Sequence, residues 1–250
     1  MEFARPLIRA TLLRRYKRFL ADARLEEGPR AGEEITAHLA NPGSMMGLKE
    51  PGLEIWLEEN DDPKRKLKFT WRLVRLHRNG PEAAQLGGRP EAWVGIDTSI
   101  PNRIAGEALR QNRVPGLDGY GSVRAEVPYG TNSRVDFLLG GPDRPPAYVE
   151  VKNVHLVRTP GLAEFPDSVT TRGAKHLAEL AAMVEAGQRA VMLYVIQRND
   201  CDRLAFAEDL DPGYARAYVD ARARGVEAMA MNARVSPNGI VLDRPIPIAD

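Results

Sequence analysis

Hydrophobic and polar positions alternate in short bursts along the first third of the chain. Leu7 to Leu13, Tyr16 to Leu25, Glu34 to Leu39, Leu53 to Glu58 and Phe69 to Leu76 each read as a strand. Gly28-Pro-Arg-Ala-Gly32 and Asn41-Pro-Gly-Ser44 are turn chemistry between them. Five short strands at this spacing predict a small closed barrel, and a five-stranded OB-like barrel fits the count. Gly80 to Pro90 is rich in Gly, Pro and Ala and predicts a linker. The pattern then changes. Apolar residues at 104, 105, 108 and 109 predict a helix over Pro101–Arg110. Strands follow over Val123–Val127, Arg134–Leu139 and Ala147–Lys152. A long helix over Thr170–Glu185 starts near a threonine and ends before Gly187. Ala190 to Gln197 is continuously apolar, as in a strand buried on both faces. Asp211 to Gly225 predicts another helix, and Val226–Met231 and Ile240–Leu242 short closing strands. Strand, helix, strand in this order implies a sheet with a crossover. The expected fold is mixed α/β (α+β): an OB-like barrel over residues 1–80, then an α/β domain over 81–250.

Composition narrows the function classes. The longest apolar runs are strand-sized, well short of the ~20 residues of a membrane helix. No signal-peptide pattern is visible, and the single cysteine, Cys201, rules out an internal disulfide. Both point to a cytoplasmic protein. His38, His77 and His155 have no partner at zinc-ligand spacing, and Gly-rich nucleotide loops are absent. Net charge is only +1, but it is unevenly placed: residues 1–80 carry 16 Lys and Arg against 12 Asp and Glu, the remainder 19 against 22. The basic residues cluster at Arg14, Arg15, Lys17 and Arg18, and again at Lys64, Arg65 and Lys66. Such clusters read either as a solvated surface or as a phosphate-binding one, with DNA the expected partner.

The candidate chemistry lies in the second half. On a strand Glu150 and Lys152 share one face, while Val149 and Val151 face the core. Asp136, flanked by Val135 and Phe137 on the preceding strand, can lie beside Glu150 across a hairpin. Two close carboxylates repel unless a proton or cation sits between them. Hard oxygen donors suit Mg²⁺ or Mn²⁺, so Asp136 and Glu150 are the candidate metal ligands. A neighbouring lysine can orient an attacking water and offset phosphate charge. Asp, a gap of 13 residues, then Glu-x-Lys is the pattern of the PD-(D/E)xK nuclease superfamily. Glu107 on the preceding helix and Gln197 at the end of the buried strand complete the candidate catalytic set. Each reads equally as an ordinary helix-surface acid or strand-end amide. Arg172, Lys175 and His176 open the long helix, either as a phosphate site or as a solvated helix start.

At these residues the chain closely resembles the sugar fermentation stimulation protein A family. The matching segments are Arg14-Arg-Tyr-Lys-Arg-Phe-Leu-Ala-Asp22, Asn41-Pro-Gly-Ser-Met45, Asp62-Pro-Lys-Arg-Lys66, Pro101-Asn-Arg103, Asn132-Ser-Arg-Val-Asp-Phe-Leu138, Tyr148-Val-Glu-Val-Lys-Asn153, Phe165 to Leu177 and Asp211-Pro. They run in order almost end to end. The resemblance implies an OB-like domain ahead of a nuclease-like domain, DNA binding, and a link to regulation of sugar (maltose) utilisation. Three readings stand: a metal-dependent DNA endonuclease, a non-catalytic DNA-binding regulator on a nuclease-like fold, and a sugar-sensing module that rests on the family name alone. A homodimer is one arrangement the sequence allows.

Overall fold

A computed structural model describes residues 1–130 and 133–249. Asn132, which opens one of the family-like segments, lies outside them.

The first sheet holds β1 (Leu7–Tyr16), β2 (Leu20–Leu25), β3 (Glu34–His38), β4 (Glu54–Glu59), β5 (Phe69–His77) and β6 (Glu91–Gly95). Its order is β3-β2-β1-β4-β5-β6, and an additional β3–β5 pairing closes the first five strands into a barrel. The alternation that predicted the strands fills it: Leu12, Ala23, Ala37, Ile55, Leu57 and Trp71 are fully buried inside. The strand expected over Tyr16–Leu25 divides differently. β1 runs to Tyr16, and Lys17 and Arg18, with φ of +48° and +63°, turn the chain into β2. The expected linker is not free either. Ala83–Leu86 is a short 3₁₀ turn with Leu86 buried, and Gln85 donates to Gly47 O at 2.9 Å and accepts from Arg198 at 3.1 Å. β6 then adds to the barrel edge beside β5.

The second half builds a six-stranded sheet from β7 (Ser122–Tyr129), β8 (Ser133–Gly141), β9 (Arg144–Val154), β12 (Arg189–Ile196), β14 (Glu227–Ser236) and β15 (Gly239–Ile246). Its order is β15-β14-β12-β9-β8-β7, with β12 parallel to both neighbours. A parallel strand at the centre requires crossovers, and α2 (Thr171–Glu185) and α3 (Pro212–Ala223) supply them on one face. There they cover Leu138, Met192, Tyr194 and Ile196. α1 (Ile100–Arg110) and the outer wall of the barrel cover the other face through Ile104, Leu109, Leu7 and Leu73. A small sheet of β10 (Leu156–Thr159), β11 (Leu162–Phe165) and β13 (Arg203–Phe206), with no counterpart in the sequence expectation, sits beside the main one.

Polar contacts join the two halves. Gly95 N donates to Gln197 O at 2.7 Å, and Gln197 Nε2 donates to Asp97 O at 3.1 Å and Asn153 Oδ1 at 2.7 Å. Asp167 accepts from Met45 N at 3.1 Å, fixing the turn over 41–45. Among the described residues no helix is long and apolar enough to cross a membrane.

Candidate active site

β8 and β9 pair through Phe137↔Val149, and continuing that register by one residue sets Asp136 opposite Glu150. The ladder stops there. Instead the Asp136 carboxylate takes over as acceptor: Oδ2 receives the Val151 amide at 2.7 Å, and Oδ1 receives Asn102 Nδ2 at 2.6 Å. Asn102 reaches it because α1 lies close on β8. Gly106 makes that approach possible, since a Cβ there would meet the Phe137 ring at 2.8 Å.

Glu150 and Lys152 project from the face of β9 that α2 covers. Glu150 is 3% exposed. Its Oε1 accepts from Lys152 Nζ at 2.8 Å and contacts His176 Nδ1 on α2. Arg172 Nε donates to His176 Nε2 at 3.2 Å, and Lys152 Nζ lies 3.3 Å from His176 Nδ1. Thr170 caps α2 by accepting from Gly173 N at 3.1 Å, and its own amide donates to Asp211, the cap of α3. That anchoring fixes where His176 falls over β9.

The two carboxylates sit in contrasting environments. Burial pushes the Asp136 carboxyl up to about 6, and the charge of Glu150 adds to the rise against the Val151 amide, Lys152 and Asn102. Burial also presses Glu150 upward, but the hydrogen bonds and charges of His176 and Lys152 outweigh it and hold that carboxyl below its usual range. Glu150 Oε2 is buried with no hydrogen-bond partner among the described residues. A pair of hard oxygen donors, one strained by its neighbour's charge and one with an open lone-pair site, suits a divalent cation. Among the described residues no group of three or more His, Cys, Asp or Glu stands ready to hold a metal ion. Asp136 and Glu150 are the residues that could hold a cation, which would need water or phosphate to complete its shell.

Other sequence candidates fall elsewhere. Glu107 leaves the site: it faces the N-terminal ammonium of Met1 at 2.9 Å and Arg113 at 3.8 Å, because the helix face carrying Asn102 is not the one carrying Glu107. Gln197 is fully buried in the seam between barrel and sheet rather than beside Asp136 and Glu150. Arg14, Arg15 and Arg18 line one cleft of about 860 Å³ on the barrel with Lys49 and with Ser168 and Val169, just ahead of α2. Within it Arg15 is committed to the carbonyls of Arg18, Asn41, Gly43 and Ser44, and clamps that turn. Arg14 pairs with Asp22 at 2.7 Å. Lys17 does not line the cleft. Lys64, Arg65 and Lys66 stand exposed on the β4–β5 connection and do not line it either. Arg172 and Lys175 lie on α2, Arg172 against His176 and Lys175 at 3.6 Å from Glu179. Asn102, Tyr129 and Glu179 escape a reading of the sequence, as does the contact of His176 with Glu150. The regular step along α2 from Arg172 to His176 to Glu179 is the one signal available for them.

A closed five-stranded OB barrel followed by a mixed α/β domain that carries a carboxylate–lysine pair on one strand face is the class of protein defined by this architecture. Residues 13–81 match the family described as the SfsA N-terminal OB domain, and residues 99–239 that described as the sugar fermentation stimulation protein RE domain. The chain belongs to the sugar fermentation stimulation protein (SfsA) family. It is 58% identical to the sugar fermentation stimulation protein homolog of Ruegeria pomeroyi, over 96% of this chain and 97% of that one. The homolog of Brucella ovis is 50% identical over 100% of this chain and 98% of its own. Among solved structures, Pyrococcus furiosus SfsA in complex with Ca²⁺ shares the fold with a TM-score of 0.82 at 22% identity, covering 100% of this chain and 98% of that one.

Proposed function

We propose that this chain is a divalent-metal-dependent DNA phosphodiesterase, with the barrel gripping DNA and the α/β domain cutting it. The observation that carries the reading is the placement of Asp136 beside Glu150, with Lys152 Nζ 2.8 Å from Glu150 on the same strand face. Asp136 and Glu150 hold the cation, Mg²⁺ or Mn²⁺. When bound it supplies Lewis acidity at the scissile phosphate and neutralises the carboxylates. The Ca²⁺ in the Pyrococcus furiosus relative supports a cation of this class. Lys152 orients the attacking water and offsets phosphate charge. His176 holds Glu150 and Lys152 in register, and Asn102 holds Asp136. The basic cleft with Arg18 and Lys49 receives the sugar–phosphate backbone just ahead of α2, and Arg172 and Lys175 extend that positive surface toward the carboxylates.

The test is cleavage of labelled duplex and single-stranded DNA by the full chain with Mg²⁺ or Mn²⁺, against chelator and Asp136→Ala and Lys152→Ala. Metal-dependent cleavage abolished in both variants is expected. A second reading, a non-catalytic DNA-binding regulator, draws on the siting of the basic cleft on the barrel, built from residues other than the carboxylates. It predicts salt-sensitive binding with no cleavage on any substrate, and affinity unchanged by Glu150→Ala.

A further inference from the structure

Other buried oxygens beside the carboxylate site also lack partners among the described residues. Glu179 lies on α2 three residues beyond His176, hence on the same helix face. Its carboxylate rests against Gly130, where a Cβ would come within 3.0 Å of Glu179 Oε1. Gly130 directly follows Tyr129, the last residue of β7. Among the described residues both Glu179 oxygens are buried without a hydrogen-bond partner, and so are the Tyr129 hydroxyl and Glu150 Oε2. Tyr129 is only 7% exposed, and its hydroxyl is within electrostatic reach of Glu150, Glu179 and Asp136 together. Lys175 offers Glu179 a charge at 3.6 Å, from a position 52% exposed.

Buried polar atoms in folded proteins are nearly always satisfied, so several orphans in one place call for a missing partner. Three of these four are carboxylate oxygens, which only accept. An anion is therefore excluded. A lone water donates at most two hydrogen bonds, too few for these oxygens. A hydrated cation supplies both donors and charge, because a small divalent ion keeps several of its waters and those waters are strong donors.

We propose that Glu179 and Tyr129 form an outer wall of the cation site, receiving hydrogen bonds from the water shell of a divalent ion held by Asp136 and Glu150. Glu179 is thus a positioning residue that acts through the ion's waters, and Tyr129 braces the same shell. This rests on the metal-site reading above.

Calorimetric titration of Ca²⁺ and Mn²⁺ into the full chain tests it, with Asp136→Asn, Glu179→Gln and Tyr129→Phe alongside, together with melting of each variant in chelator. Asp136→Asn should abolish binding. Glu179→Gln should weaken it by about tenfold, the usual scale for groups that act behind the direct ligands, and Tyr129→Phe by less. In chelator Glu179→Gln should melt no lower than wild type, since it removes an unsatisfied buried charge. A purely structural Glu179 gives the opposite sign. Lower metal-free melting of Glu179→Gln, or metal binding indistinguishable from wild type, overturns the inference while the Asp136 result leaves the metal site standing. If wild type binds neither ion, or Asp136→Asn binds as wild type does, the metal-site reading itself falls and this falls with it.

Discussion

Replacing Asp136 by asparagine should make the metal-free protein more stable, the reverse of what substitution of a buried, hydrogen-bonded residue ordinarily does. The carboxyl rises from 3.8 to about 6 in the folded chain because it is buried beside Glu150. At roughly 1.4 kcal/mol per pK unit, ionising it in place costs the fold on the order of 3 kcal/mol. Asparagine removes the charge but keeps an oxygen for the Val151 amide. Its amide then faces Asn102 Nδ2, which must turn over, and that returns about 1 kcal/mol or more. The net gain is about 1–2 kcal/mol, or roughly 2–8 °C for a chain of this size. The sign follows from the direction of the shift. A raised folded-state pKa means the folded chain binds this proton more tightly than the unfolded one. The penalty is therefore absent below the ordinary value, grows as pH rises, and is complete above about 6. Thermal melting in chelator at about pH 8 and about pH 4 measures it. Asp136→Asn should melt above wild type at the higher pH, with the gap closing at the lower, and added Mn²⁺ should raise only wild type. A variant that melts below wild type at high pH in chelator, or a gap indifferent to pH, refutes the reasoning.

Other consequences are as direct. Arg18→Ala and Lys49→Ala in the barrel cleft should each weaken DNA binding and reduce the slope of log affinity against log salt by about 0.9 for each phosphate no longer neutralised, read by fluorescence anisotropy across a salt series. Neutralising Lys64, Arg65 and Lys66 together should cost less per charge than either, because those residues lie off the cleft. Arg198 and Asp200 form an ion pair exposed by only 0% and 1%, and Arg198 also holds Gln85 and the His155 carbonyl. Asp200→Asn strands a buried guanidinium and should cost about 3–5 kcal/mol in urea unfolding. Glu107→Gln should leave metal binding and cleavage unchanged and alter stability by about 1 kcal/mol or less, since Glu107 pairs with the N-terminal ammonium from a partly exposed position.

Much of this is legible along the chain. Period-two alternation marks the five barrel strands, because each buries one face in the barrel's own interior. Spacing alone sets Glu150 and Lys152 on one face, and the hairpin length brings Asp136 alongside. Glu107 falls outside the site because a helix offers several faces, and only packing chooses the one carrying Asn102. β6 falls just after the stretch that reads as linker, where the sequence pattern predicts no strand, and its end at Gly95 meets Gln197 across about a hundred residues of chain.

Local features are thus settled within the sequence: strand and helix periods, the turn at 41–44, the shared face of Glu150 and Lys152, and the end-to-end family pattern. These depend on neighbours within a few residues, where backbone geometry dictates direction. Packing alone selects which side chains close the pocket. Asn102 comes from α1, His176 and Glu179 from α2 and Tyr129 from the end of β7, brought to one place by Gly106 against Phe137, by the Thr170–Asp211 caps and by α2 packing on β9 and β12. Such contacts are set by how layers pack, and no periodicity along the chain encodes the distance between two elements that meet only when the core closes.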